Sequence, residues 1–435
     1  MGDLHKIKYG IIGKNLDYSL APEVHNQFFD AYSIDGTYDI IDIKENQSYE
    51  DVVSILMQYK GINVSAPYKK PIIKYLDEIS ENAKNIGYVN TINNVNGKLY
   101  GYNTDVEGFK GLLDIHHLNA RGKSFVILGS GSIAKSAIFV LKKMTKKITV
   151  VSRNVDEVID GATIVGYDQL HALQADVLVN ATNIGLYPNV NECLLTKQDI
   201  EKYEYIIDLV YNPVFTKLLQ TGVKCGKKCI SGLYMLICQA MRSESFWQGF
   251  DMESAVKRVY AQVNAIEKNK GKANIYIVGM MGCGKTELSK KIAKATKRKY
   301  IELDDLIKTM SGLSVNQLYE QGGEELFRQW EEKAIIKVAQ MKNKVVALGC
   351  GTVLKERNVL TLKLSGVVIL RDRPINDILK DIDLTDRQGV QSKEDVIRLY
   401  NERYPLYVDV ADYILPYGDI DKDLEKILEL LKWKK

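Results

Sequence analysis

The sequence has 435 residues, 46% hydrophobic and 26% charged, with a formal net charge of +4. That length exceeds one ordinary domain and points to about two to four, in a composition typical of soluble globular proteins. Lysine and glutamate are mixed along the chain, which argues against the clustered basic face of a nucleic-acid binder. The longest apolar runs, such as Ile275-Tyr276-Ile277-Val278, are strand-sized, far below the ~20 residues that cross a bilayer. The opening Met1-Gly2-Asp3-Leu4-His5-Lys6 does not read as a signal peptide, and Lys6 breaks the myristoylation pattern. Six cysteines without a CxxC pair fit a reduced cytoplasmic protein rather than a disulfide framework.

Residues 1–105 alternate short apolar strands (Tyr9-Gly10-Ile11-Ile12, Gly61-Ile62-Asn63-Val64) with helix-like segments. A second α/β unit starts near Gly122. Its first strand, Phe125-Val126-Ile127-Leu128, runs into the turn Gly129-Ser130-Gly131-Ser132-Ile133-Ala134 and then a helical pattern to Met144. Residues 106–232 make up this unit. Residues 233–266 are helical in pattern and are expected to return to the first subdomain. The polar run Glu267-Lys268-Asn269-Lys270-Gly271-Lys272 is the best linker, which sets a boundary at 267–273. Residues 274–435 form a last α/β unit, opened by Ile275-Tyr276-Ile277-Val278 and the turn Gly279-Met280-Met281-Gly282-Cys283-Gly284-Lys285-Thr286. The predicted class is α/β throughout.

The first glycine turn has the GxGxxA form of a dinucleotide site. Its glycines permit a tight turn and close approach of the backbone to a pyrophosphate at a helix N-terminus. Packing alone also produces such turns. The next strand ends at Ser152-Arg153-Asn154, about 20 residues on, where an NAD site usually carries an acid. An arginine there suits a 2′-phosphate and favours NADP; the alternative is a solvated arginine at a strand end.

Upstream lie Gly61-Ile62-Asn63-Val64-Ser65-Ala66-Pro67-Tyr68-Lys69 and Gly101-Tyr102-Asn103-Thr104-Asp105. Hydride transfer to a ketone needs a proton for the developing alkoxide, and a paired lysine and carboxylate can supply and orient it. Taken singly, such a lysine is usually a surface residue and Asn-Thr-Asp usually a helix cap.

The second turn is a full Walker A pattern. Loop N–H groups cradle phosphate, Lys285 reaches the β/γ-phosphates and the Thr286 hydroxyl ligates Mg²⁺. A nucleoside triphosphate site follows from these residues; the acceptor does not. Ile301-Glu302-Leu303-Asp304-Asp305 clusters carboxylates after a probable second strand, and a helix cap run is the plain alternative. Arg328 and Glu331 share a helix face at i, i+3, a spacing also common in surface pairs. Gly349-Cys350-Gly351 follows another apolar strand.

Over its first ~265 residues the chain resembles shikimate dehydrogenase. The blocks that carry this are Ser19-Leu20-Ala21-Pro22 with His25-Asn26, residues 61–69, Asn90-Thr91, Asn103-Thr104-Asp105, Asn180-Ala181-Thr182-Asn183-Ile184-Gly185, Asp208-Leu209-Val210-Tyr211-Asn212-Pro213 and Gly232-Leu233-Tyr234-Met235-Leu236-Ile237-Cys238-Gln239-Ala240. The resemblance implies a substrate domain, a Rossmann-type NADP(H) domain and the substrates 3-dehydroshikimate and shikimate. Lys69 and Asp105 would be catalytic. Ser19, Ser65, Lys69, Asn90, Asp105, Tyr211 and Gln239 would hold the substrate. Gly129, Ser130, Gly131, Ser132, Ile133, Ser152, Arg153, Asn154, Leu209 and Gly232 would line the cofactor site.

From about Asn274 onward the chain resembles shikimate kinase, which implies a P-loop α/β/α domain of the NMP-kinase type using ATP and Mg²⁺. Lys285 and Asp304 would be catalytic. Gly282, Cys283, Gly284, Lys285, Thr286 and the lid residue Arg387 would bind ATP, and Thr286 with Glu302 the metal. Asp304, Arg328, Gly349, Cys350, Gly351 and Arg403 would hold shikimate. The chain departs from the families at several points. Ala21 replaces a serine, Ser65 a threonine, Ser152 an asparagine and Cys350 a glycine. The stretch before the lid is acidic, Lys380-Asp381-Ile382-Asp383, where arginines are usual. A second reading is therefore a quinate/shikimate-type dehydrogenase fused to a catalytically impaired, regulatory kinase-like domain.

Overall fold

The computed structural model of the chain describes residues 6–43, 49–270, 273–383, 390 and 392–431. Two compact units form, residues 1–221 with 230–263 and residues 264–435 with 222–229.

The first unit opens with β1 (Ile7–Gly13), β2 (Gly36–Asp42), β3 (Gly61–Val64), β4 (Glu78–Ile79), β5 (Thr91–Val95) and β6 (Lys98–Tyr102), in the order β2-β1-β3-β5-β6-β4. β1 runs parallel to β2 and β3, while β5 is antiparallel to β3 and β6. Asn96 and Gly97 join β5 to β6, both at positive φ (53° and 84°). The favoured two-residue hairpin turn requires that, and Asn-Gly adopts it at little cost.

The helix Leu233–Gln248 returns to this sheet from far along the chain. The Trp247 indole N–H donates to the Ile92 carbonyl (2.9 Å), and its ring stacks on Tyr9 with centroids 5.3 Å apart. A Cβ at Gly61 would lie 2.3 Å from that indole. Only glycine lets β3 pass beneath the ring.

The second sheet holds β7 (Phe125–Leu128), β8 (Ile148–Val151), β9 (Thr163–Val165), β10 (Val177–Asn180), β11 (Tyr205–Asp208) and β12 (Lys228–Ser231), ordered β12-β11-β10-β7-β8-β9. β7, β10 and β11 are buried along their whole length, as strands covered on both faces must be. Strand order reverses between β7 and β10. In open α/β sheets that point opens a ligand crevice at the carboxyl ends of the strands.

The second unit is built on β13 (Asn274–Val278), β14 (Lys299–Glu302), β15 (Lys344–Ala347), β16 (Gly366–Asp372) and β17 (Tyr413–Pro416), all parallel in the order β14-β15-β13-β16-β17. Side chains alternate between two cores. Tyr276, Val278, Val346 and Val368 face one; Ile275, Ile277, Val345 and Val367 face the other. The long helix Val315–Ala339 breaks at Gly322 and Gly323, the latter at φ 64°.

One expectation needs correction. The polar run read as a linker is helical as far as Lys270, within the helix Met252–Lys270. Glu and Lys are good helix formers, and no glycine or proline stops the chain before Gly271. Among the described residues, no helix is long and apolar enough to cross a membrane.

Candidate active sites

Backbone bonds knit three segments of the first unit into one wall. Val89 N–H donates to Lys69 O and Asn90 N–H to Tyr102 O, each at 3.0 Å. This brings the loop after β3, the loop before β5 and the end of β6 together. Lys69 Nζ then lies 2.9 Å from Asp105 Oδ2, with the two side chains 16% and 6% exposed. Asp105 is the first residue of the helix Asp105–Ile115, where the helix dipole favours its negative charge. Asn90 Nδ2 donates to Asp105 Oδ1 (2.8 Å) and to Thr104 Oγ1 (3.0 Å). Thr104 N–H returns a bond to Asn90 Oδ1 (2.8 Å), and Thr104 Oγ1 donates to Gln239 Oε1 (3.2 Å). Burial above all pushes the Tyr211 phenol up, so it stays a hydrogen-bond donor.

The pair opens onto a cleft of about 1350 Å³. Every residue assigned above to the dehydrogenase substrate and cofactor sites lines that one cleft. Gly131 caps the helix Ser132–Leu141, and a Cβ there would meet nothing within 4 Å. That open face at a helix N-terminus fits a pyrophosphate. Ser130 and Ser152 hydroxyls lie 3.0 Å apart, and Ser152 Oγ accepts from Asn154 N–H (3.1 Å). Arg153 is exposed at the end of β8, as contact with a 2′-phosphate demands. Two lining or supporting groups carried no sequence signal. Glu157 lines the cleft and pairs with Lys135 at 2.8 Å. Tyr88 bonds to Asp105 Oδ2 at 3.0 Å.

In the second unit Gly279, Gly282 and Gly284 hold φ of 143°, 75° and 83°, which curls the loop ahead of the helix Lys285–Ala295. Lys285 Nζ donates to the carbonyls of Gly279 and Met280, both at 3.0 Å. Two arginines missed in the sequence brace the loop. Arg371 Nε donates to Cys283 O (2.7 Å) and Arg373 Nη1 to Gly282 O (2.8 Å). Thr286 Oγ1 donates to Glu302 Oε2 (3.0 Å). This hydroxyl and carboxylate suit Mg²⁺, a hard cation that takes oxygen ligands and shares them with phosphates. Among the described residues no cluster of three or more His, Cys, Asp or Glu gathers to hold a metal on protein groups alone.

Beside the loop, burial first and then Glu302 and Glu331 push the Asp304 carboxyl up to about 6. Arg328 Nη1 donates to Glu331 Oε2 (2.8 Å), and Thr352 Oγ1 to Glu331 Oε1 (2.8 Å). Glu331 is fully buried and Arg328 9% exposed, so the i, i+3 pair is an interior one. Arg403 Nη1 lies 3.0 Å from Cys350 Sγ, and Tyr407 OH donates to Cys350 O at 2.5 Å. Cys350 is not among the residues at positive φ, so its backbone carries a side chain without strain. Arg387 lies outside the described residues.

Residues 11–92 match the family model described as the shikimate dehydrogenase substrate binding domain. The shikimate dehydrogenase (NADP(+)) of Clostridium beijerinckii is 37% identical over 255 residues, which are 57% of this chain and 93% of that protein. The chain belongs to the shikimate dehydrogenase family. A second domain follows it: residues 281–432 match the family model described as shikimate kinase. Shikimate dehydrogenase 1 from Peptoclostridium difficile is a similar solved structure, 35% identical with a TM-score of 0.56, over 59% of this chain and 97% of that one. A chorismate mutase/shikimate 5-dehydrogenase fusion protein from Clostridium acetobutylicum matches with 34% identity, a TM-score of 0.56 and the same coverage. That protein too is a fusion. Here the dehydrogenase is joined to a kinase domain.

Proposed function

We propose that the chain carries out two successive reactions, reduction of 3-dehydroshikimate to shikimate and phosphorylation of shikimate to shikimate 3-phosphate. NADPH supplies the hydride and Mg-ATP the phosphoryl group. The observation that carries the first reaction is the Lys69–Asp105 pair, 2.9 Å apart in the cleft that also contains the glycine turn. Lys69 donates a proton to the oxygen that becomes a hydroxyl, and Asp105 holds the ammonium in line. Ser19, Ser65, Asn90, Tyr211 and Gln239 orient the substrate, and Arg153 recognises the cofactor's 2′-phosphate.

In the kinase domain Asp304 accepts the proton of the attacking hydroxyl. Arg328 and Arg403 grip the carboxylate, a pairing that guanidinium groups make well. Lys285 and the N–H groups of Gly282, Cys283 and Gly284 hold phosphates, and Thr286 with Glu302 orders the metal. The partners are small molecules. The test is one coupled assay on the intact chain, with 3-dehydroshikimate, NADPH and Mg-ATP supplied and shikimate 3-phosphate measured. Formation of shikimate without its phosphate would reduce the second domain to a binding module. Higher kcat/KM for quinate with NAD would overturn the first assignment.

A further inference from the structure

One buried polar group at the catalytic pair has no part in these reactions as written. Tyr88 is 3% exposed and sits just before the Val89-Asn90-Thr91 block. Its hydroxyl lies 3.0 Å from Asp105 Oδ2, 2.7 Å from the Ser132 carbonyl and 2.6 Å from Ser136 Oγ. Lys69 Nζ lies 5.1 Å from the centre of its ring. A phenol has one proton to give. The carboxylate and the carbonyl can only accept it, while Ser136 can accept it or donate to the phenol oxygen, with Asn103 Oδ1 a second acceptor for the serine at 3.4 Å. Burial first, and then the charge of Asp105, pushes the phenol well above its ordinary range, so it remains a donor.

The competing acceptors belong to two parts of the site, Asp105 on one side and Ser132 with Ser136, in one helix, on the other. Asp105 is half of the Lys69–Asp105 pair. Ser132 is the first residue of the helix that follows the dinucleotide turn. We propose that Tyr88 is a positioning residue that couples this turn to the Lys69–Asp105 pair. The proposal rests on the reading that the pair is catalytic. Lys69 and Tyr88 meet on the same oxygen, Asp105 Oδ2, while Asn90 holds Oδ1. Whatever share of the phenol proton Ser132 takes is withdrawn from the carboxylate, which then leans further on Lys69. A ligand that shifts the turn therefore changes the pair, and the pair changes affinity at the turn by the same factor.

The test is Tyr88→Phe, which keeps the ring beneath Lys69 and removes only the hydroxyl. A carboxylate that loses a donor protonates more readily. The acid limb of dehydrogenase kcat/KM should therefore move up by about one pH unit, the scale of one hydrogen bond to a charged group. At neutral pH kcat should fall about tenfold, with the KM for shikimate within about twofold. Lys69, Tyr88 and Tyr211 face Asp105 from other elements, and Glu107, with Arg242 beside it, from its own turn. Tyr88 alone changes in the variant, so a moved limb reports its hydroxyl. Far-UV circular dichroism of the same sample shows that the variant is folded, since NADP⁺ affinity is itself expected to respond to the coupling. An unmoved limb overturns the proposal even if kcat drops, because lost packing would lower kcat without moving it. If Tyr88→Phe does not fold, Ser136→Ala decides. It changes how the phenol proton is shared and should move the limb by less than Tyr88→Phe; no movement overturns the proposal. Lys69→Ala separates the two ideas: full activity there sinks the catalytic pair itself, whereas inactivity with an unmoved Tyr88→Phe limb sinks only the coupling.

Discussion

The two lysines proposed to act in the reactions stand in opposite situations. Lys69 already rests on the Asp105 carboxylate, at 2.9 Å. Lys285 rests on two carbonyls of its own loop, at 3.0 Å each, and would have to release them to reach a phosphate. The dehydrogenase pair is preorganised by the fold. Neighbouring loops that share backbone bonds fix its geometry, and the helix dipole favours its anion. The phosphate loop is held from behind instead, by Arg371 and Arg373 on carbonyl oxygens, which leaves its N–H face to the ligand. One lysine is held by a side chain of its own site and the other by the backbone of its own loop.

The contrast breaks most sharply at the first lysine. Lys69→Ala should lower dehydrogenase kcat by about 10²–10⁴-fold, the usual worth of a positioned proton donor. NADPH affinity, read by fluorescence titration, should change far less, by no more than the coupling through Tyr88 transmits, and the kinase rate should not change at all. A parallel fall in phosphorylation would show that the two sites are not independent. Next in size, Lys285→Ala should cost the kinase about 10²–10³-fold in kcat, as removal of one charge-stabilising group does. Shikimate oxidation by the same preparation should run at the parental rate.

A smaller effect is that of pH on the kinase. The Asp304 carboxyl stands at about 6, raised from 3.8. The form that accepts a proton prevails above that value, so kinase kcat/KM should fall about tenfold per unit below it. The sign for stability is the reverse. A group raised in the folded state holds its proton more tightly there, and this contribution is lost as pH rises from about 4 to about 6. Asp304→Asn should flatten the pH dependence of the unfolding midpoint across that window. The smallest change expected is at Ala21. Its backbone N–H donates to Ser19 Oγ at 3.2 Å, and the Tyr211 phenol also hydrogen-bonds to Ser19. Ala21→Ser should lower the KM for 3-dehydroshikimate by at most about tenfold, one hydrogen bond's worth. No change would show that a hydroxyl at position 21 adds nothing to those of Ser19 and Tyr211.

Both glycine turns were legible in the sequence because φ above zero and close backbone approach leave few residues to choose from. Gly129 and Gly284, at φ 94° and 83°, are instances. Arg328 with Glu331 was legible as a spacing but not as an interior pair, since i, i+3 says nothing about what covers the helix. Tyr88, Arg371 and Arg373 left no signal, because each acts on a backbone atom or carboxylate brought near only by tertiary folding. The end of the helix Met252–Lys270 was misread since polar composition marks exposure, not loop structure.

The ring of Trp247 over Gly61 also bears on how the protein comes off the ribosome. The cap of the first sheet is encoded about 185 residues after the strand it covers, by the numbering of the two partners. The opening hundred residues thus emerge with an unsealed face, and the intervening nucleotide fold must be synthesised before it closes. Synthesis order and folding order part company here: the middle of the dehydrogenase can settle first, and its beginning waits for its end.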